Sequence, residues 1–301
     1  MGLIILILSA LFFSVSSYFG KIVTNITSMS GVITSFSRFF LGAVIMFIYI
    51  IATKKSFKSE DFKPVFIRAF FNSISIILFS SSLNFTTITN ANMLNMTYPV
   101  FVVLLVPFLS KEEKIKKITY LYLFLIMLGS YIVADPSFGS VNKGDLLSII
   151  SSVTAAISII SLKKCREHNE GYLIVFYVML IGTFINLPFS IHEITNFEMN
   201  GLFFVVIAGL LGFLGQIFIT WGYKYVDSAT GALISSSRIV LSAIIGIILL
   251  NEPLDLNIII GILLIGGSLV GLSGYFDNKR IEIDESTNID TSEIKVNKED
   301  N

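Results

Sequence analysis

The chain has 301 residues, 54% of them hydrophobic and 14% charged, with a mean hydropathy of +0.81. That balance excludes a soluble globular surface and makes a bilayer the natural solvent, while six prolines and a single cysteine, Cys165, exclude a collagen-like or disulfide-stapled secreted chain. The formal net charge is zero, so the information lies in where the signs fall.

Apolar runs separated by short polar punctuation predict helices over Leu3–Lys21, Val32–Ile51, Pro64–Leu83, Asn90–Ser110, Lys117–Ala134, Asp145–Leu162, Gly171–Ser190, Leu202–Gly222, Ser228–Leu250 and Asn257–Phe276. Each has about 18 to 23 residues, or roughly 27 to 35 Å, which matches a ~30 Å hydrocarbon core. The runs are apolar all round, unlike the alternating segments of a membrane barrel. The first run lacks a basic n-region and a small-residue cleavage site before Lys21, so it reads as a retained helix. The fold class expected is therefore all-α integral membrane, with ten transmembrane helices. After Phe276 the composition turns polar and charged, and residues 277–301 are expected to form a disordered cytoplasmic tail.

If these helices alternate sides, Lys54, Lys55, Lys58, Lys63, Arg68, Lys111, Lys114, Lys116, Lys117, Lys163, Lys164, Arg166, Lys224, Lys279 and Arg280 share one side. Only Lys21 and Lys143 fall on the other. By the positive-inside rule the crowded side is cytoplasmic, which puts both termini in the cytoplasm of a plasma (inner) membrane protein. The basic runs act as helix-end anchors, and no nucleic-acid partner is implied.

Sliding the chain on itself by about 140 residues brings similar features into register. Gly2 and Ser9 fall on Gly144 and Ser151, Lys21 on Lys163, Gly31 and Gly42 on Gly171 and Gly182, and Lys111–Glu112 on Asn251–Glu252. Gly129–Ser130 matches Gly267–Ser268 once two residues are deleted. Residues 1–138 and 139–276 thus read as two five-helix repeats. Because five is odd, the repeats have inverted topology, an arrangement that places a transporter's site near the midplane.

The segments SFSRFFLGAVIMF (35–47), TTITNANMLNMTYPVFVVLLVPFLSKEEKI (86–115) and YKYVDSATGALISSSRIVLSAIIGIILLNEPL (223–254) resemble the drug/metabolite transporter superfamily, of the EamA type. The resemblance covers nearly all of 1–276 and implies two EamA repeats, with Glu112 and Glu252 as the acidic ends of equivalent helix pairs and Pro99 as the mid-helix proline. The second repeat departs from it by carrying Arg238 and Ile239 where the first has Tyr98 and Pro99, which puts an equivalent break in the ninth helix in doubt.

Arg238 lies about ten residues, roughly 15 Å, into its helix, and hence near the midplane. A charge there faces the bundle interior or water, and the stripe Gly231, Ser235, Arg238, Ser242, Gly246 is small and polar. Its guanidinium fork suits a carboxylate; the structural alternative is a bond to carbonyls or an Asn of another helix. On the fourth helix Asn92, Asn95 and Pro99 share a face, Tyr98 is the repeat equivalent of Arg238, and Pro99 frees the carbonyl of Asn95. Asn95, Tyr98, Ser235 and Gln216 are the further substrate-binding candidates, with interhelical bonding as the alternative. Arg38 lies about 9 Å inside its helix, where snorkelling to the interface is expected and a gate is the second reading. Ser9, Ser16, Ser151 and Ser158 are candidates for lining the cavity. Gly267 and Gly271 form a small-xxx-small pair, and Gly209, Gly212 and Gly215 lighten the eighth helix for close packing, with homodimerisation as an option.

No metal-ligand cluster, phosphate loop or hydrolytic constellation is legible, so neither an enzyme nor a cofactor is expected. The function expected is alternating-access transport of a small polar metabolite, carboxylate-bearing if Arg238 binds it. An exporter of amphipathic drugs and a non-transporting scaffold or receptor are the alternatives.

Overall fold

A computed structural model describes residues 1–82, 85, 88–110, 115–134, 142–250 and 256–272. The expected tail, Glu112 and Glu252 lie outside these residues, as does the side chain of Asn92. The described chain is helical without strands: α1 (Gly2–Ile26), α2 (Gly31–Ala52), α3 (Phe62–Ser82), α4 (Ile88–Asn95), α5 (Tyr98–Leu109), α6 (Lys117–Ala134), α7 (Lys143–His168), α8 (Gly171–Thr195), α9 (Leu202–Gly222), α10 (Ser228–Ser235), α11 (Ser237–Leu250) and α12 (Leu256–Leu272). Seven stretches are long and apolar enough to cross a bilayer, and Met93–Leu109, Lys117–Val133 and Leu256–Leu272 are shorter apolar helices. Large apolar side chains such as Phe40, Ile48, Phe108, Phe124, Phe184 and Leu263 face outward, as lipid requires.

Helix starts follow from local capping. The Ser30 hydroxyl accepts from Val32 N at 3.2 Å to open α2, and Asp227 accepts from Thr230 N at 2.8 Å to open α10. Asn142 and Asp145 exchange two 3.0 Å bonds in a capping box at α7.

Two expected single helices are each broken in the middle. Between α4 and α5, Thr97 N bonds Leu94 O at 3.2 Å and Val100 N bonds Thr97 O at 2.9 Å; Pro99 then sits in the first turn of α5, where its missing N–H is harmless. Between α10 and α11 the same tight pattern recurs, Ser236 N to Leu233 O at 3.1 Å and Ile239 N to Ser236 O at 3.0 Å. The second break needs no proline, which corrects the doubt raised by Ile239. The Ser235 and Ser236 hydroxyls bond back to the carbonyls of Gly231 and Ala232 at 2.8 and 3.4 Å, and such back-bonding bends helices.

The helices pair in an exchangeable pattern. α3 packs on α7 as α1 does on α9, α2 meets α9 as α8 meets α3, and α5 meets α7 as α11 meets α1; α2–α8 and α6–α12 are their own counterparts. At the α2–α8 crossing, a methyl on Gly42 would come within 2.6 Å of Met179 Sδ, and one on Gly182 would collide with the Phe39 ring. Each helix therefore lays a large side chain over the other's glycine, 140 residues apart on both counts. Gly129 and Gly261 make the equivalent close approach between α6 and α12. Of the expected Gly267–Gly271 pair, Gly271 lies under Tyr122 of α6, while among the described residues nothing comes within 4 Å of a methyl on Gly267.

Both ends of the bundle are tied. At the lysine-rich end, Asn169 accepts from the Ser59 hydroxyl (2.6 Å) and Glu60 N (3.1 Å) and donates to Asp61 O (2.9 Å). Lys55 there lies over the rings of Tyr49 and Tyr172, 5.0 and 4.7 Å from their centroids. At the opposite end, Glu198 accepts from the amide and hydroxyl of Ser28, and Glu193 from those of Ser30.

Candidate functional site

Three arginines from three helices carry the charge of this region: Arg68 is buried, while Arg38 and Arg238 are half-buried. Arg238, the second residue of α11, donates from Nη2 to Ser17 Oγ at 2.8 Å and lies 5.7 Å from the Phe13 ring centroid. Ser17 donates in turn to Phe13 O at 2.9 Å, and Ser14 Oγ donates to Arg238 O at 3.2 Å, so α1 holds both ends of this residue. Arg38, on α2, lies over the same Phe13 ring at 5.9 Å and over Phe39 at 5.1 Å. It does not snorkel: its stem lies against Gly212 of α9, where a methyl would approach Ser16 Oγ to 3.0 Å. Phe13 thus serves two guanidiniums from two helices, a contact worth roughly 0.5–2 kcal/mol each.

The third, Arg68, was grouped with the basic collar on sequence grounds. Instead it is 2% exposed in the core between α3 and α7. Its Nη1 donates to Ser158 Oγ at 2.7 Å, Ser158 Oγ donates to Arg68 O at 2.9 Å, and its Nε has no partner. Cys165, Tyr98 and Tyr223 surround it, and Arg38 lies within electrostatic range of both Arg68 and Arg238. Among the described residues no carboxylate pairs with any of the three. The only sequence signal for Arg68 was its position six residues, about 9 Å, past the start of α3, too deep for the interface unless the side chain snorkels.

The remaining candidates divide. Tyr98, at the start of α5, is buried and donates to Ala232 O of α10 at 3.3 Å. It lies within electrostatic range of Arg238, its repeat-equivalent position. Ser235 lies near the hydroxyls of both Tyr98 and Tyr223, yet Tyr223 Oη is left without a hydrogen-bond partner, its ring pressed on Gly231. Gln216, on α9, is 4% exposed and its Nε2 has no partner. Asn95 turns away to α7 and donates to Ser151 Oγ at 2.8 Å.

The serines expected to line a cavity are interhelical fasteners. Ser9 donates to Gly215 O and Ser16 to Ala208 O, both at 2.7 Å, fixing α1 to α9. Ser151 donates to Ser75 O at 2.7 Å and Ser158 to Arg68 O at 2.9 Å, fixing α7 to α3. Each pair repeats the other at an offset of 142 on one helix and 140 on the other. A separate cleft of about 430 Å³ opens at the lysine-rich end, with Asp61, Lys164, Glu167 and His168 in its walls.

The family model for the EamA-like transporter family matches this chain twice, over residues 1–134 and 142–274. The chain belongs to the EamA-like transporter family. The two matched segments are the halves whose packing and serine fasteners duplicate one another, and the apolar helices make this EamA-like protein a multi-pass membrane transporter. It is similar to an uncharacterized transporter of Helicobacter pylori, 26% identical over 90% of this chain and 94% of that one. It is also similar to the pseudopaline exporter CntI of Pseudomonas aeruginosa (20%, covering 90% and 95%) and to solute carrier family 35 member G1 of Mus musculus (27%, covering 81% and 70%). A solved crystal structure aligns with a TM-score of 0.74 over 92% of this chain and 98% of that one at 14% identity, a likeness of fold alone.

Proposed function

We propose that this EamA-like protein is an alternating-access carrier for a small polar metabolite bearing a carboxylate, bound at Arg238 near the middle of ten spans. The carrying observation is a guanidinium held by Ser17 and the Phe13 face with no carboxylate partner among the described residues. A neutral hydroxyl and a ring orient the fork without neutralising it, which keeps its charge for an anionic group of the solute. Tyr98 and Ser235 add hydroxyls on the side of the broken helices, and Arg38 stands towards the opposite end as a gate.

Ten spans follow if α4–α5 and α10–α11 each cross once. The exchangeable packing supports two inverted repeats that rock about α2–α8, and the end ties at Asn169 and at Glu193 and Glu198 are the contacts that opening must break. The positive-inside rule puts the lysine-rich end in the cytoplasm of the plasma membrane: Lys55, Lys116 and Lys163 should label from the cytoplasm and Lys143 only from outside. The likeness to a pseudopaline exporter favours export as the direction to test first. The test is a comparison of metabolites inside and outside cells with and without the gene, followed by transport of the altered compounds in proteoliposomes. Accumulation of a carboxylated metabolite in the deletion strain supports the reading. Transport confined to uncharged amphipathic compounds would replace it with drug export.

A further inference from the structure

Arg68 and Tyr223 present a second set of donors that the reading above does not use. Arg68 is 2% exposed and Tyr223 fully buried, each within electrostatic range of the other and of Tyr98. Buried polar groups are nearly always hydrogen-bonded, yet among the described residues Arg68 Nε meets no acceptor and Tyr223 Oη has only the Ser235 hydroxyl near it, outside hydrogen-bond geometry. Among the described residues, the Arg68 side chain donates to a neutral serine, Ser158. An arginine–carboxylate pair within the protein would be the ordinary way to keep such a charge. Two more guanidiniums belong to this neighbourhood: Arg38 lies within electrostatic range of Arg68, and Tyr98 lies within range of both Arg68 and Arg238. One buried and two half-buried arginines, with surplus donors and no paired carboxylate among the described residues, match a ligand supplying more than one anionic oxygen group.

We propose that the solute carries at least two oxyanion groups, one on Arg238 and the other on Arg68 with Tyr223, so that the transporter selects di- and tricarboxylates over monocarboxylates. This rests on the carboxylate reading of Arg238 and adds a second subsite towards the lysine-rich end. The second subsite is closed here by Tyr98 and Tyr223, which join α5 and the end of α9 over α10. Its exposure accompanies the opening of that end. The doubly anchored solute spans from the midplane to the half of the bundle that contains Arg68.

The experiment measures thermal stabilisation of the purified full-length protein by C4 to C6 carboxylates, with butyrate, succinate and citrate as probes, since a ligand that binds only the folded state raises the midpoint by mass action. The expected result is half-maximal stabilisation by succinate or citrate at a tenfold or lower concentration than butyrate. In Arg68→Gln that preference shrinks below threefold, and Tyr223→Phe, which keeps the buried ring and removes only the hydroxyl, also reduces it if Arg68→Gln fails to fold. A preference that is absent in the wild type, or unchanged in both variants, overturns the second subsite. If butyrate stabilises in an Arg238-dependent way while no preference exists, the carboxylate reading stands and this inference alone falls; if no carboxylate stabilises, both fall.

Discussion

Arg68 and Ser158 hold one another by two reciprocal bonds, Arg68 Nη1 to Ser158 Oγ at 2.7 Å and Ser158 Oγ to Arg68 O at 2.9 Å. The equivalent pair in the other half, Ser16 and Ala208, makes only the second of these bonds, at 2.7 Å. The same fastener thus carries a buried cation in one repeat and a methyl group in the other. Ser16→Ala removes one interhelical bond, worth ~0.6 kcal/mol on average within membranes. Ser158→Ala also strips a buried guanidinium of its hydrogen-bond acceptor, at about 1–3 kcal/mol. Unfolding of the two variants in detergent should therefore rank Ser158→Ala as clearly less stable; equal losses would mean that Arg68 does not depend on Ser158.

The α2–α8 crossing gives a second prediction. Gly182→Ala drives a methyl into the Phe39 ring, and overpacking of this kind costs about 1–3 kcal/mol. Phe39→Leu shortens the intruding side chain, so the double variant should regain part of the lost stability despite carrying two changes. Additive losses would show that Phe39 is not what fills the space above Gly182.

How much of this was readable beforehand depends on how far each feature lies from a helix's own periodicity. The Gly42 and Gly182 correspondence follows from spacing within single segments, and the family match to two halves agrees with the repeat drawn from such spacings. The inward setting of Arg68 is not legible in its own segment, because a place in a basic series gives no rotational setting: whether a residue six positions into a helix turns to the interface or the core is decided by Ser158, 90 residues away. Arg38 turns inward because Gly212 leaves room for its stem, again a partner in the other half. The second helix break has no proline to mark it in the sequence; serine back-bonding at Ser235 and Ser236 accompanies it.

The end opposite the lysines should respond to acid. The Ser28 hydroxyl and amide hold the Glu198 carboxyl below the ordinary carboxylate range. A value lowered in the folded state makes its contribution fully present above the unfolded value and lost as pH falls through the folded one. Glu198→Gln should consequently be less stable than wild type at neutral pH, with the gap closing under strongly acidic conditions. Thermal midpoints across that range check it, and a gap that persists undiminished in acid would remove the carboxylate from the tie.

Arg238 carries the central prediction, because its contacts, Ser17 Oγ and the Phe13 face, are both neutral and orient its charge without cancelling it. Arg238→Lys keeps the charge and loses the planar fork, while Arg238→Gln keeps donors and loses the charge. A hydrogen bond to a charged group is worth about 1.5–3 kcal/mol, so KM for a carboxylated solute should rise about tenfold in the lysine variant and towards a hundredfold in the glutamine variant. Ser17→Ala supplies the control for positioning: the guanidinium keeps its charge but loses its hydrogen-bond acceptor, and KM should rise less than in either Arg238 variant. If Arg238→Gln, folded and inserted, transports with the wild-type KM, the arginine is a packing residue on Phe13 and the solute's charge is read elsewhere.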